Sequence, residues 1–245
     1  MEASTFIRFE DDNGTIRYGE PTKESLAGDL IGATVEVLQG DPFQGLKRSG
    51  EKAKVGVVLC PLESTPIVLC IGLNYKKHAE EANLTIAPYP VVFTKPPTAL
   101  AGPYDDIHVH PDAASMMDYE GELVVVIGRD AKNVSVANAL HYVLGYTMGN
   151  DVSARNFQLP DVSGGQFCYA KSFDGFAPMG PAIATTKAVS DPQALTYSTR
   201  VNGATRQETS TSDMIWTVAQ IISHLSRGTT LRKGTTIMTG TPSGE

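Results

Sequence analysis

The sequence predicts a β-dominated α+β fold with its helices at the periphery. Three observations carry this. Of 245 residues, 23 are Gly and 15 are Pro, so about one in six punctuates the backbone, which favours short strands over a helix bundle. Short apolar or alternating runs recur between those turn signals. A clear 3.6-residue apolar period appears over one long stretch, Asp213 to Ser226. At this length, with 41% hydrophobic residues, one large domain or a medium domain with a small appendage can bury a sizeable core.

The elements follow in order. Phe6 to Phe9 and Thr15 to Tyr18 flank Asp12-Asn13-Gly14, a strong hairpin signal. Thr34 to Leu38 is a strand closed by Gly40-Asp41-Pro42, and Val55 to Leu59 and Ile67 to Ile71 are apolar runs separated by Pro61 and Pro66. Residues 1–65 therefore read as a small β-rich module, and 66–245 as the larger domain. Cys70 to Tyr75 is a strand running into a turn, Lys76 to Ala82 a short helix, and Pro88 and Pro90 mark a loop. Val91 to Phe93 is a strand ended by Pro96-Pro97. Leu123 to Ile127 is a continuous aliphatic run before Gly128, as a buried central strand requires. Ser135 caps a helix through Tyr142, and Leu144 to Met148 is a Gly-flanked strand. In the last helix Met214, Ile215, Val218, Ile221, Ile222 and Leu225 share a face, with Ser212 as cap and Gly228 as stop.

Charge and cysteine content exclude several classes. With 20 basic against 27 acidic side chains and no Lys/Arg block, neither a nucleic acid nor an anionic membrane is an expected partner. No window approaches the ~20 apolar residues of a membrane helix. The N-terminus lacks a signal-like apolar run and is too acidic for a mitochondrial transit peptide, so a cytoplasmic location is expected. Cys60, Cys70 and Cys168 form no Cys-x-x-Cys pair and read as reduced thiols.

Five segments carry possible chemistry. In Asp118-Tyr119-Glu120-Gly121-Glu122, strand alternation puts three carboxylates on one face, roughly 7 Å apart in succession. Buried together they would repel, and a hard divalent cation is the simplest remedy; a solvated edge face is the alternative. Asn150-Asp151-Val152-Ser153-Ala154-Arg155 offers an acid from another strand, or an ordinary turn residue. His78 and Glu81, three apart on the short helix, form either a base with its orienting carboxylate or an incidental exposed pair. Lys171 and the Gly240-Thr241-Pro242-Ser243-Gly244 turn supply a cation and a hydroxyl suited to an anion, or a surface lysine and a plain turn.

Taken in order, these blocks, with Gly72-Leu73-Asn74-Tyr75 and Phe93-Thr94-Lys95-Pro96-Pro97, resemble the fumarylacetoacetate hydrolase family, particularly its small acylpyruvase and oxaloacetate decarboxylase-like members. The resemblance implies a mixed β-roll preceded by a small β module, usually dimeric, acting on a small dicarbonyl acid. It implies Mg²⁺ or Mn²⁺ on Glu120, Glu122 and Asp151, with Asp118 at a non-ligand position. His78 and Glu81 become a water-activating dyad on a lid helix. Lys171 becomes the contact to a developing oxyanion, and Tyr75, Arg155, Gln158 and Thr241 the substrate contacts. The implied reaction is metal-dependent hydrolysis of a C–C bond in a 1,3-dicarbonyl acid such as an acylpyruvate. Oxaloacetate decarboxylation or enol-acid isomerisation is the alternative on the same site. A non-catalytic binding protein is disfavoured because every family position is filled. The family continues into further β-structure after the Gly-Thr-Pro-Ser-Gly turn, so more strands are expected beyond Glu245.

Overall fold

In the computed structural model, which describes residues 2–244, the first hairpin forms as expected. Strand β1 (Thr5–Asp11) pairs antiparallel with β2 (Ile16–Glu20), Phe9 opposite Arg17. The Asp11 carboxylate accepts from the Asn13 and Thr15 N–H groups and from Arg17 Nε at 2.7–3.0 Å, while Gly14 takes φ +78°. That is the division of labour a tight turn needs: an acid to cap the free N–H groups and a glycine for the left-handed position. Five-residue α1 (Lys23–Ala27) leads to β3 (Thr34–Asp41) and β4 (Gly45–Leu59). β4 begins ten residues before the apolar run at Val55, because its exposed first half pairs with β3 through polar residues that carry no apolar signal.

These strands join the rest of the chain in one sheet. β1 also pairs with β9 (Ala177–Thr185), Phe6 opposite Ile183. The order is β2-β3-β4-β1-β9-β8-β7-β12-β5-β6, with β5 Val68–Gly72, β6 Val91–Lys95, β7 Gly121–Ile127, β8 Val143–Asn150 and β12 Thr236–Met238. β12 and β5 are parallel, so the sheet is mixed, and β6 lies at its edge. β7 is the central strand that its aliphatic run predicts. Val124 and Val126 enter one core with Phe6, Met179 and Met238; Leu123, Val125 and Ile127 enter the other with Tyr75, Ile221 and Ile222. Burial on both faces is why the run does not alternate with polar residues. β10 (Thr196–Val201) and β11 (Ala204–Ser210) form a separate hairpin.

The helices are short and peripheral: α2 (Lys76–Glu81), α3 (Pro160–Ser163), α4 (Cys168–Lys171) and α5 (Val218–Leu225). The fold is therefore α+β and sheet-rich. α5 starts five residues later than the periodicity predicts, and its cap is Thr217, not Ser212. Thr217 Oγ accepts from the Gln220 N–H, and the Gln220 side chain accepts from the Thr217 N–H, a reciprocal capping box. Asn74 causes the late start. Its backbone carbonyl accepts from the Ile215 N–H and its Oδ1 from the Trp216 N–H, both at 2.8 Å, holding residues 214–216 out of the helix. Val136–Tyr142 is a 3₁₀ helix, and Ser135 makes no side-chain cap bond to it. Among the described residues no helix is long and apolar enough to cross a membrane.

Candidate metal centre

The register of two neighbouring strands brings the acids together. β7 and β8 are antiparallel, with Gly121 opposite Asn150 and Glu122 opposite Gly149. The start of β7 therefore meets the end of β8, where Asp151 follows. The Asp151 N–H donates to the Glu120 carbonyl and the Glu120 N–H to Asn150 Oδ1, both at 2.9 Å. Glu120, Glu122 and Asp151 each offer an oxygen, all within 4.8 Å of one another, and all three residues are buried. Burial excludes the solvated edge face. Asp118 does not converge with them as simple alternation predicts. The chain leaves regular strand geometry between Met117–Asp118 and Gly121, and Asp118 pairs with Arg155 Nε at 2.9 Å.

Cations surround the three acids. Lys171 Nζ lies 2.8 Å from Glu120 Oε1 and 2.9 Å from Asp151 Oδ2, and Arg155 reaches Glu120 Oε1 at 2.8 Å. Lys95, fully buried, puts Nζ 2.5 Å from Asp151 Oδ1. Burial alone would raise the Asp151 carboxyl, but Lys95 and Lys171 bring it below the ordinary range. Burial likewise disfavours the Lys171 ammonium, yet Asp151 and Glu120 hold its pKa above that of a free lysine. Glu122 stands apart. Among the described residues its one hydrogen-bond partner is the Gly240 N–H at 2.8 Å. Burial first, then the charges of Asp151 and Glu120, push its carboxyl well above the usual carboxylate range. A dication among these oxygens would offset that penalty, and an all-carboxylate donor set suits a hard divalent metal. Gly240 is required at its position: at φ +99°, a Cβ there would meet Asn74 Cβ at 2.7 Å and the Ile71 carbonyl at 3.0 Å.

The remaining predicted residues are distributed around this centre. Arg155 also donates to Gln158 Oε1 at 2.8 Å, so these two side chains form one unit. Thr241 is buried, its Oγ accepting from Gln207 Nε2 at 2.7 Å and donating to the Gly121 carbonyl at 3.3 Å. Tyr75 is fully buried in the core, its hydroxyl accepting from that of Tyr197 at 3.0 Å. His78 and Glu81 lie on α2, His78 half-buried and Glu81 exposed, with Glu81 Oε2 accepting from the Gly244 N–H at 3.3 Å.

Sequence reasoning assigned no role to Lys95, Gln207, Asn74 or Gly240. Lys95 could have been found: it is the only charge in a strand otherwise made of Val, Phe and Thr, and a charge there needs a partner. Gln207 could not, since it is one polar residue among several in β11.

Comparison with known proteins agrees with this geometry. The family model "Fumarylacetoacetate (FAA) hydrolase C-terminal" matches residues 67–245. "Oxaloacetate tautomerase YisK" of Bacillus subtilis is 43% identical over 179 residues, 72% of this chain and 58% of that protein. "Oxaloacetate tautomerase FAHD2A, mitochondrial" of Homo sapiens is 38% identical over 186 residues, 76% of this chain and 59% of that protein. The matched part thus spans about three-fifths of these curated relatives. Among solved structures, 2-hydroxyhepta-2,4-diene-1,7-dioate isomerase from Mycobacterium marinum superposes with a TM-score of 0.81 at 35% identity, covering 99% of this chain and 88% of that one. Fumarylacetoacetate hydrolase from Exiguobacterium antarcticum gives 0.76 at 37% identity, covering 98% and 87%.

Proposed function

The chain belongs to the fumarylacetoacetate hydrolase family, and we propose that it interconverts the keto and enol forms of a small 2-oxo diacid of the oxaloacetate class, using Mg²⁺ or Mn²⁺. The observation that carries this reading is the buried Glu120–Glu122–Asp151 triad with its fixed cations. Asp118, Glu120, Glu122 and Asp151 face Lys95, Lys171 and Arg155, leaving one negative charge in excess. A dication reverses the sign, so the loaded site favours an anionic substrate. Relatives named as oxaloacetate tautomerases and isomerases favour proton transfer over bond cleavage.

The three acids hold the ion, which when bound supplies a Lewis acid that polarises the 2-oxo group and offsets enolate charge. Lys171, kept as an ammonium by its two carboxylate neighbours, presents a fixed positive charge rather than a base. The Arg155–Gln158 unit offers donors to the distal carboxylate. Thr241, its hydroxyl braced by Gln207, is a further polar contact to the substrate in this reading. His78 removes the proton from the carbon next to the 2-oxo group and returns it to oxygen, so atoms balance without a co-reactant.

C–C hydrolysis is the second reading, favoured by His78 and Glu81 lying three apart on α2, with Glu81 bonded to the terminal turn. One experiment ranks the two. Loss of enol-oxaloacetate is followed by ultraviolet absorbance, beside acylpyruvate cleavage and oxaloacetate decarboxylation, with Mg²⁺, Mn²⁺ or EDTA. The expected result is metal-dependent ketonisation well above background that falls by ~10²–10⁴-fold in His78→Ala. Metal binding without such a rate refutes the proposal, and cleavage of acylpyruvates alone transfers it to the second reading.

A further inference from the structure

Lys95 is the most completely enclosed cation of the site. Its ammonium meets the carbonyls of Val152 at 3.0 Å and of Lys171 and Phe176 at 2.7 Å, and forms an ion pair with Asp151 Oδ1. Its three protons thus bind three segments: the stretch after β8, the end of α4, and the residue before β9. Lys171 differs. Its Nζ has two carboxylate oxygens and the Phe93 ring at 5.0 Å, and, among the described residues, no backbone carbonyl. One ammonium is locked in place; the other is held only by the groups that would receive a metal.

We infer that Lys95 is a positioning residue, which fixes the Asp151 carboxylate within the triad through its ion pair to Oδ1 and anchors the α4 end that carries Lys171. The inference rests on the carboxylate triad being the metal site. Without Lys95, Oδ1 is released and Lys171 becomes the nearest remaining cation, free to draw both Asp151 oxygens to itself. Asp151 is then less available to a dication, although a positive charge has been removed from its neighbourhood. Positioning and simple charge repulsion therefore predict opposite signs. Repulsion alone says that neutralising Lys95 tightens metal binding; positioning says that it weakens it.

The test is Mn²⁺ binding, read by calorimetry or by the free-ion paramagnetic resonance signal, for the wild-type chain, Lys95→Met and Glu122→Gln, with folding checked by circular dichroism. The expected result is Mn²⁺ affinity lower by about 10- to 100-fold in folded Lys95→Met, with a raised KM because Lys171 is misplaced. A merely structural lysine would lower the melting temperature and leave the affinity unchanged. Equal or tighter Mn²⁺ binding in the folded variant overturns the inference while leaving the triad intact. A wild-type chain that takes up no Mn²⁺ overturns both. Should Lys95→Met not fold, Lys95→Gln, neutral but with donors for the buried carbonyls, gives the same comparison.

Discussion

Glu122→Gln should make the metal-free protein at least as stable as wild type while removing its response to metal. Glu122 is 1% exposed, its one described partner is a backbone N–H, and two further carboxylates lie beside it. A glutamine keeps the size and the acceptor for Gly240 and drops the charge. Without metal that charge is a burden, because burial and its acidic neighbours raise the Glu122 pKa. The native state then holds a proton that the unfolded chain gives up, so this group lowers stability as pH climbs from the ordinary carboxylate value through the raised one. Asp151, shifted downward, loses its contribution only below the ordinary Asp value, so the two effects occupy separate pH ranges. With metal at a hundredfold excess over Kd, binding adds about 2.7 kcal/mol. For a chain of this size that is a rise in melting temperature of about 5–11 °C. Thermal unfolding in EDTA and in Mn²⁺, from mildly acidic to mildly alkaline pH, measures both quantities. Wild type should show the metal-induced rise and a metal-free stability that falls with pH; Glu122→Gln should lack both. A wild-type-sized metal shift in the variant would refute the ligand assignment, and a metal-free variant markedly less stable than wild type would refute the charge argument.

Gly240→Ala forces a Cβ to within 2.7 Å of Asn74 Cβ at φ +99°. It should cost about 1–3 kcal/mol in denaturant unfolding and weaken Mn²⁺ binding by displacing the N–H that holds Glu122; wild-type values for both would show that the turn can shift. Tyr197→Phe removes the hydroxyl that donates to buried Tyr75 and should cost about 0.5–1.5 kcal/mol with KM unchanged. A raised KM would instead support Tyr75 as the substrate contact expected from sequence. Oxalate, a dianion resembling the substrate's 2-oxo acid end, should raise the melting temperature only when Mg²⁺ or Mn²⁺ is present, and an equal rise in EDTA would contradict the charge reversal.

What was legible in the sequence is what local pattern records. The first hairpin, the central strand Leu123–Ile127 and the helix Lys76–Glu81 follow from turn chemistry, a continuous aliphatic run and spacing. The convergence of Glu120, Glu122 and Asp151 came from the family blocks, since alternation alone would have included Asp118. Long-range hydrogen bonds stayed illegible. Asn74 reaches 142 residues along the chain to delay α5, and nothing in the Met214–Trp216 pattern reveals it. The apolar spacing there reads as helix because Met214 is buried although its backbone is not helical. The polar first half of β4 was invisible for the opposite reason: β3 supplies its pairing and no core claims its side chains.

The site combines two kinds of counter-charge, and the difference bears on how it works. Charges tied to the backbone, as Lys95 is by three carbonyls, cannot leave when a metal arrives. Charges tied to the carboxylates of the triad, as Lys171 is, would lose those partners to a bound metal and become available to whatever binds next. Before that exchange Glu120 and Asp151 are compensated by Lys95, Lys171 and Arg155, and Glu122, with no cation in contact among the described residues, carries the remaining cost of burial. Afterwards the same ammonium faces a pocket whose net charge has changed sign. On the proposed function, metal uptake would create both the attraction for an anionic acid and a free cation to receive its oxygen.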